Sequence, residues 1–313
     1  MALSPSGIVR ATESWLYDPK PVHPMVAGRI VFGTVLFLCY AVRLPDAALL
    51  YGADGFGGDS FLQQLVFSGT VFQFAYEGLG LDWPAPGPTA LSVVYALALA
   101  CALCFAVGYR TRTTGWIVWL IHLYFYKMRL PLAYWGWPAL MQGFMLYVLL
   151  SRAGDFFSVD AWLARRRDGT KAPPVSEWTA PAWPMRLLQV HLCAMYATVG
   201  WSRIQAPDWL AGHTVFTAVT TSLHSKIVID WAPFKPVLSL ATWSVYLLEP
   251  AAVFGLWVPR IGALFAYALI SMHLGLELLT NVGWWSFTVL PGLLAFLPTA
   301  HLQALFRKLT RER

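Results

Sequence analysis

Glu249, His273 and Glu277 stand inside apolar stretches of the sequence, and Arg203 stands at the end of one. A charged group in a bilayer costs about 2.5–3.5 kcal/mol on insertion scales, so each of these residues marks a candidate site. His273 and Glu277 are four apart, which places them on one face of a helix. Such a pair could serve as acid and base or supply two metal ligands. A metal would need a further ligand, and no metalloprotease-type motif is present. The plainer reading is a structural hydrogen bond inside a bundle. Glu249 precedes a proline in Tyr246-Leu-Leu-Glu-Pro250, whose ring removes a backbone donor and frees carbonyls beside the carboxylate. A carboxylate so placed calls for a cation, and Arg203 is the partner the sequence offers. The plainer reading there is a buried ion pair with no chemical role.

Other polar residues carry less. His191, Gln189 and His122 are single polar groups on apolar segments and read as satisfied packing residues. Cys101-Ala-Leu-Cys104 has redox spacing but lies mid-segment without flanking charge. Lys127-Met-Arg129 reads as an interfacial pair whose heads snorkel to water. No phosphate-binding glycine loop, dinucleotide fingerprint or nucleophile elbow occurs.

The elements that must position these residues are apolar helices. Of 313 residues, 58% are hydrophobic and 12% charged, about half the roughly 25% charged content of a soluble domain. Mean hydropathy is +0.55. This excludes a disordered chain, a nucleic-acid-binding domain and an ordinary cytosolic enzyme, and predicts an all-α, polytopic membrane bundle. A spanning helix needs about 20 mostly apolar residues. Eight segments qualify: 25–45, 88–109, 113–131, 135–152, 184–204, 236–257, 261–280 and 283–299. Aromatic stretches at 61–76 and 209–223 read as interfacial or re-entrant pieces, and the loop 153–183 begins with a helix capped by Ser158. Pro207 disfavours helix at Ala206, so the segment carrying Arg203 ends at or before that residue. The whole of 1–313 reads as one transmembrane domain with no separate soluble domain. The first 26 residues lack the apolar core of a cleavable signal peptide, so the first spanning segment is expected to serve as its own signal.

Charge sets the expected orientation. With eight alternating spans, the side holding both termini receives 15 of the 22 basic residues and the other side six, Arg29 lying within the first segment. The loop 46–87 has no Lys or Arg at all and carries Asp46, Asp54, Asp59, Glu77 and Asp82. That asymmetry predicts both termini in the cytoplasm. The four cysteines all lie in apolar stretches, which argues against a disulfide framework.

Five stretches, in order, resemble the membrane domain of vitamin K-dependent γ-glutamyl carboxylase and its bacterial relatives, the HTTM-domain proteins. Asp18-Pro-Lys-Pro-Val-His-Pro-Met-Val-Ala-Gly-Arg-Ile-Val-Phe-Gly33 is similar to the family's entry into its first helix. Val107-Gly-Tyr-Arg-Thr-Arg112 resembles its basic turn, and Phe157-Ser-Val-Asp-Ala-Trp-Leu-Ala-Arg-Arg-Arg167 its following loop. Gln189-Val-His-Leu-Cys-Ala-Met-Tyr196 with Gly200-Trp-Ser-Arg-Ile-Gln-Ala-Pro-Asp-Trp-Leu-Ala-Gly212 resembles its fifth helix. Glu249 and Met272-His-Leu-Gly-Leu-Glu-Leu-Leu-Thr-Asn-Val-Gly-Trp-Trp-Ser-Phe287 resemble its last helices. The resemblance covers about residues 18–300.

Three departures accompany it. Arg203 stands where the family has its catalytic lysine, and arginine keeps its proton where a desolvated lysine can lose one. The family's histidine before the fourth helix would fall near Trp135-Gly-Trp137, where no histidine stands. Residues 1–313 are expected to lack the large lumenal domain of the carboxylases. The resemblance thus implies the fold more than the carboxylation. It implies an internal cavity for a quinone or other isoprenoid lipid, walled by Arg203, Glu249, His273 and Glu277 and lined by Trp201, Trp209, Trp284 and Trp285, in a bacterial cytoplasmic (inner) membrane. Candidate catalytic residues are Glu249, His273 and Glu277; candidate cofactor-binding residues are Arg203, Trp209, Trp284 and Trp285, with no metal. The alternative is a non-catalytic scaffold or maturation subunit bound to other membrane or secreted proteins. In both readings the lipid bilayer is a partner and nucleic acid is not.

Overall fold

A computed structural model describes residues 5–56, 85–129, 136–221 and 224–310. The expected interfacial stretch 61–76, Trp135 and the side chains of Lys127 and Arg129 fall outside the described residues. The fold is an all-α membrane bundle with a single two-stranded ribbon among the described residues.

Each of the eight apolar segments carries a helix. Among the described residues, four helical segments are long and apolar enough to cross a membrane: His23–Tyr51, Pro88–Val107, Ala232–Gly255 and Gly262–Leu279. A fifth would be Trp285–Leu294 with Thr299–Thr310, two helices bent by 108°. The rest differ from the expectation in length or polarity. Thr111–His122 has 12 residues before the chain continues as a π-helix over Leu123–Arg129, and Trp137–Leu150 has 14. Trp183–Ile204 has 22 residues but carries Arg186, Gln189, His191 and Arg203. Apolar composition locates these helices without fixing where the backbone turns.

The chain divides into two compact units, Val26–Ala172 and Pro173–Arg313 with the N-terminal segment through Met25. In the first, α2 (His23–Arg43, whose first three residues belong to the second unit), α3 (Ala47–Tyr51), α4 (Pro88–Val107), α5 (Thr111–His122), α6 (Trp137–Leu150) and α7 (Val159–Asp168) bury Phe32, Leu36, Tyr40, Tyr95, Phe105, Val118 and Phe144. Helices α2 and α4 approach so closely that a Cβ at Gly33 would lie 2.5 Å from the Ala106 nitrogen. The fully buried Arg29 donates to the Ala106 carbonyl at 3.1 Å and the Phe157 carbonyl at 2.6 Å. It thereby ties the negative end of α4 to the loop that precedes α7. Ser158 caps α7 as expected, its Oγ accepting from the Ala161 amide at 2.9 Å.

In the second unit, β1 (Pro19–Pro21) pairs antiparallel with β2 (Thr179–Pro181), Lys20 opposite Ala180. The helices are α1 (Pro5–Tyr17), α8 (Trp183–Ile204), the short α9 (Pro207–Leu210) and α10 (Thr214–Thr220), α11 (Lys235–Gly255), α12 (Gly262–Leu279), α13 (Trp285–Leu294) and α14 (Thr299–Thr310). Helix α8 stops at Ile204 and Ala206 is extended, with φ −97° and ψ 113°, as Pro207 requires. Pro250 sits inside α11 and the helix continues through it.

Candidate functional site

Helices α8, α11 and α12 assemble the site within the second unit. Tyr196, Gly200 and Arg203 recur at i, i+4 and i+7 on α8 and so share a face. Gly200 supplies the close approach, since a Cβ there would lie 3.1 Å from Pro250 Cβ on α11. The crossing brings the next turn of α8 to Glu249, and Arg203 forms an ion pair with it. The Glu249 side chain is 3% exposed and that of Arg203 17%. The same guanidinium lies over the indole of Trp209, 4.1 Å from the ring centroid, so carboxylate and π face hold it from two directions.

Two turns back from Arg203 on α8, the buried Tyr196 hydroxyl meets His273 Nε2 of α12 at 3.0 Å, and the imidazole tautomer sets which of them donates. The His273 carbonyl accepts from Ser286 Oγ of α13 at 2.9 Å. His273 Nδ1 is buried with no hydrogen-bond partner among the described residues. A buried imidazole nitrogen left so is costly and is suited to a polar atom delivered by a ligand.

Glu277 shares the helical face of His273 but takes its own partner. Its Oε1 accepts from Lys226 Nζ at 2.8 Å, and the same ammonium donates to the Glu277 carbonyl at 2.5 Å. Lys226 belongs to a strap laid along the end of α12, where its amide donates to the Leu279 carbonyl at 3.1 Å and Ser225 bridges Thr280. The pair expected from spacing thus divides, His273 toward Tyr196 and Glu277 toward the strap. Among the described residues no group of three or more His, Cys, Asp or Glu could hold a metal ion.

The aromatic candidates also divide. Trp209 touches Arg203 directly. Trp284 precedes α13 and gives its carbonyl to the Thr288 amide at 3.0 Å, while its ring faces Phe287 at 6.1 Å. Trp285 begins α13 and is half-buried. Trp201 is 64% exposed and does not line the site, because it sits off the stripe of Tyr196, Gly200 and Arg203. The weaker candidates are structural. Gln189 donates to the Ala295 carbonyl at 2.7 Å, and His122 lies between the Tyr40 hydroxyl at 3.2 Å and the Pro138 carbonyl at 3.3 Å. Cys101 and Cys104 are free thiols.

Sequence reasoning missed Tyr196, Lys226 and Ser286. The helical spacing of Tyr196 to Arg203 was the available signal for the first. Lys226 and Ser286 are placed by chain turns that leave no local mark.

A family model described as the HTTM domain matches residues 55–300. No curated protein and no solved structure matches the chain.

Proposed function

The chain belongs to the HTTM-domain family, and on that premise we propose that this membrane protein binds a quinone-like or other isoprenoid-lipid ligand at the cluster of Tyr196, Arg203, Glu249 and His273, without γ-carboxylase activity. The membrane setting and the kinship to vitamin K-dependent carboxylases are the ground it starts from; ligand and chemistry are our reading. The observation that carries it is the uncommitted Nδ1 of His273, whose other nitrogen is bonded to Tyr196 on the α8 face that also carries Arg203 and its ion pair with Glu249. A quinone carbonyl accepts hydrogen bonds, and the Tyr196–His273 pair can present a donor there in one tautomer. Arg203 holds its charge and is engaged by Glu249 and Trp209, so it can steady an anionic oxygen but cannot abstract a proton. We read 1–313 as a single transmembrane domain in a bacterial cytoplasmic membrane, both termini cytoplasmic.

One observation favours the alternative, a non-catalytic scaffold or maturation subunit: Glu249 in the site and Glu277 outside it are both matched by cations of the chain itself. A direct test separates the readings. Purified protein in lipid nanodiscs is supplied with reduced vitamin K, bicarbonate and a glutamate-containing peptide, and the bound lipids are extracted for mass spectrometry. The proposal expects an isoprenoid lipid and no carbon dioxide incorporation. Incorporation that disappears in Arg203→Ala would overturn the chemistry, and the absence of any isoprenoid would favour the scaffold.

A further inference from the structure

We propose that α1 and the exposed edge of α14 lie in the membrane–water interface and fasten one end of the second unit to an anionic lipid surface. Helix α1 is amphipathic, and among the described residues nothing covers much of its apolar face. Ile8, Thr12 and Trp15 follow one another at i, i+4 and i+7 with Val9 beside them, while Arg10, Glu13 and Ser14 occupy the other side. Ile8 is 51% and Val9 56% exposed. Helix α14 buries Leu302 and Phe306 but leaves Leu305 50% and Leu309 55% exposed, with Arg307 and Lys308 in its last turn.

The level of both helices follows from what holds them. Trp15 stands 6.2 Å from Trp257, two residues beyond the end of α11, and beneath the Arg186 guanidinium from the start of α8 at 5.0 Å. In α14, Phe306 packs 5.9 Å from His23 at the start of α2, and His301 hydrogen-bonds Tyr267 near the start of α12. Phe306 also packs on Trp178 at 5.3 Å, but the contacts with α2, α11 and α12 all lie at or just beyond the ends of long apolar helices, the level at which hydrocarbon gives way to headgroups. Exposed apolar side chains beside Trp and Arg at that height match an interfacial helix, whose apolar face sits about 5–10 Å into the headgroup boundary. Helices of 13 and 12 residues are marginal alone in water, where the useful length begins at about 12–15 residues, so the lipid surface would also stabilise them. Arg307 and Lys308 choose the surface, since basic residues beside such a face favour anionic headgroups.

The experiment places nitroxide labels on the full chain in nanodiscs containing phosphatidylglycerol, at Ile8→Cys, Thr12→Cys, Arg10→Cys and Glu13→Cys in turn. A Cys104→Ala background removes the native thiol that is not buried. Labels at 8 and 12 should relax preferentially with oxygen, and labels at 10 and 13 with a water-soluble nickel chelate. Nickel preference at all four positions, or protection of 8 and 12 from both reagents as under a partner protein, overturns the proposal. The unmodified chain gives a second readout. Amides of α1 should exchange several-fold more slowly in discs with phosphatidylglycerol than with phosphatidylcholine alone, and equal rates would contradict the anionic surface.

Discussion

Arg29 and Arg203 both sit among helices, and they hold their charge in opposite ways. Arg29 is fully buried and meets the carbonyls of Phe105, Ala106 and Phe157. Arg203 meets a carboxylate and an indole. Carbonyls can satisfy a guanidinium, and the three at Arg29 all come from the chain's own turns, so Arg29 works as a staple. A carboxylate neutralises its guanidinium and leaves a balanced polar patch in which His273 Nδ1 stays uncommitted. The difference separates a cation that shapes a fold from one that can face a ligand.

Removing the carboxylate should break the comparison most severely. Glu249→Ala leaves Arg203 largely buried without its anion and should destabilise the protein by about 3–5 kcal/mol. Thermal scanning should show that loss largely reversed in the double variant Arg203→Leu with Glu249→Leu, since apolar packing often replaces a buried pair without penalty. Arg29→Met strips the charged donor from the Ala106 and Phe157 carbonyls, and denaturant titration should find a loss of about 1.5–3 kcal/mol. No second substitution at a carboxylate should rescue it, because its partners among the described residues are carbonyls. Ser158→Ala removes one helix cap in the same region and should cost about 1 kcal/mol by the same titration. Smallest of all, Lys226→Ala breaks a part-exposed pair with Glu277, for which double-variant cycles should return about 0.2–1 kcal/mol.

What the sequence made legible was local or paired by charge. Ser158 as a cap and Pro207 as a stop follow from neighbouring residues, and both stand in the structure. Arg203 and Glu249 were matched because a lone carboxylate in an apolar helix needs a cation. The division of His273 from Glu277 was not legible, since Lys226 stands 51 positions away and reaches Glu277 through a strap. Arg29 registered only as a charge within a span; its acceptor Phe157 lies 128 positions on. Trp201, given as a lining residue by the resemblance alone, is exposed because a shared motif does not say which face of the helix each of its residues occupies, and Trp201 lies off the face of Tyr196, Gly200 and Arg203.

Engagement of His273 by an isoprenoid ligand, as proposed, is open to direct measurement. A short-chain quinone can be titrated into the protein in nanodiscs, following tryptophan fluorescence, for the native chain, His273→Phe and Ser158→Ala. The Phe variant keeps an aromatic ring and removes both nitrogens, whereas Ser158 is remote from the site in sequence and role. The account predicts saturable binding in the native chain and in Ser158→Ala, weakened about tenfold in His273→Phe, the equivalent of about 1.4 kcal/mol. Linear, non-saturating quenching that is identical in all three proteins would mean partition into lipid alone and would contradict it.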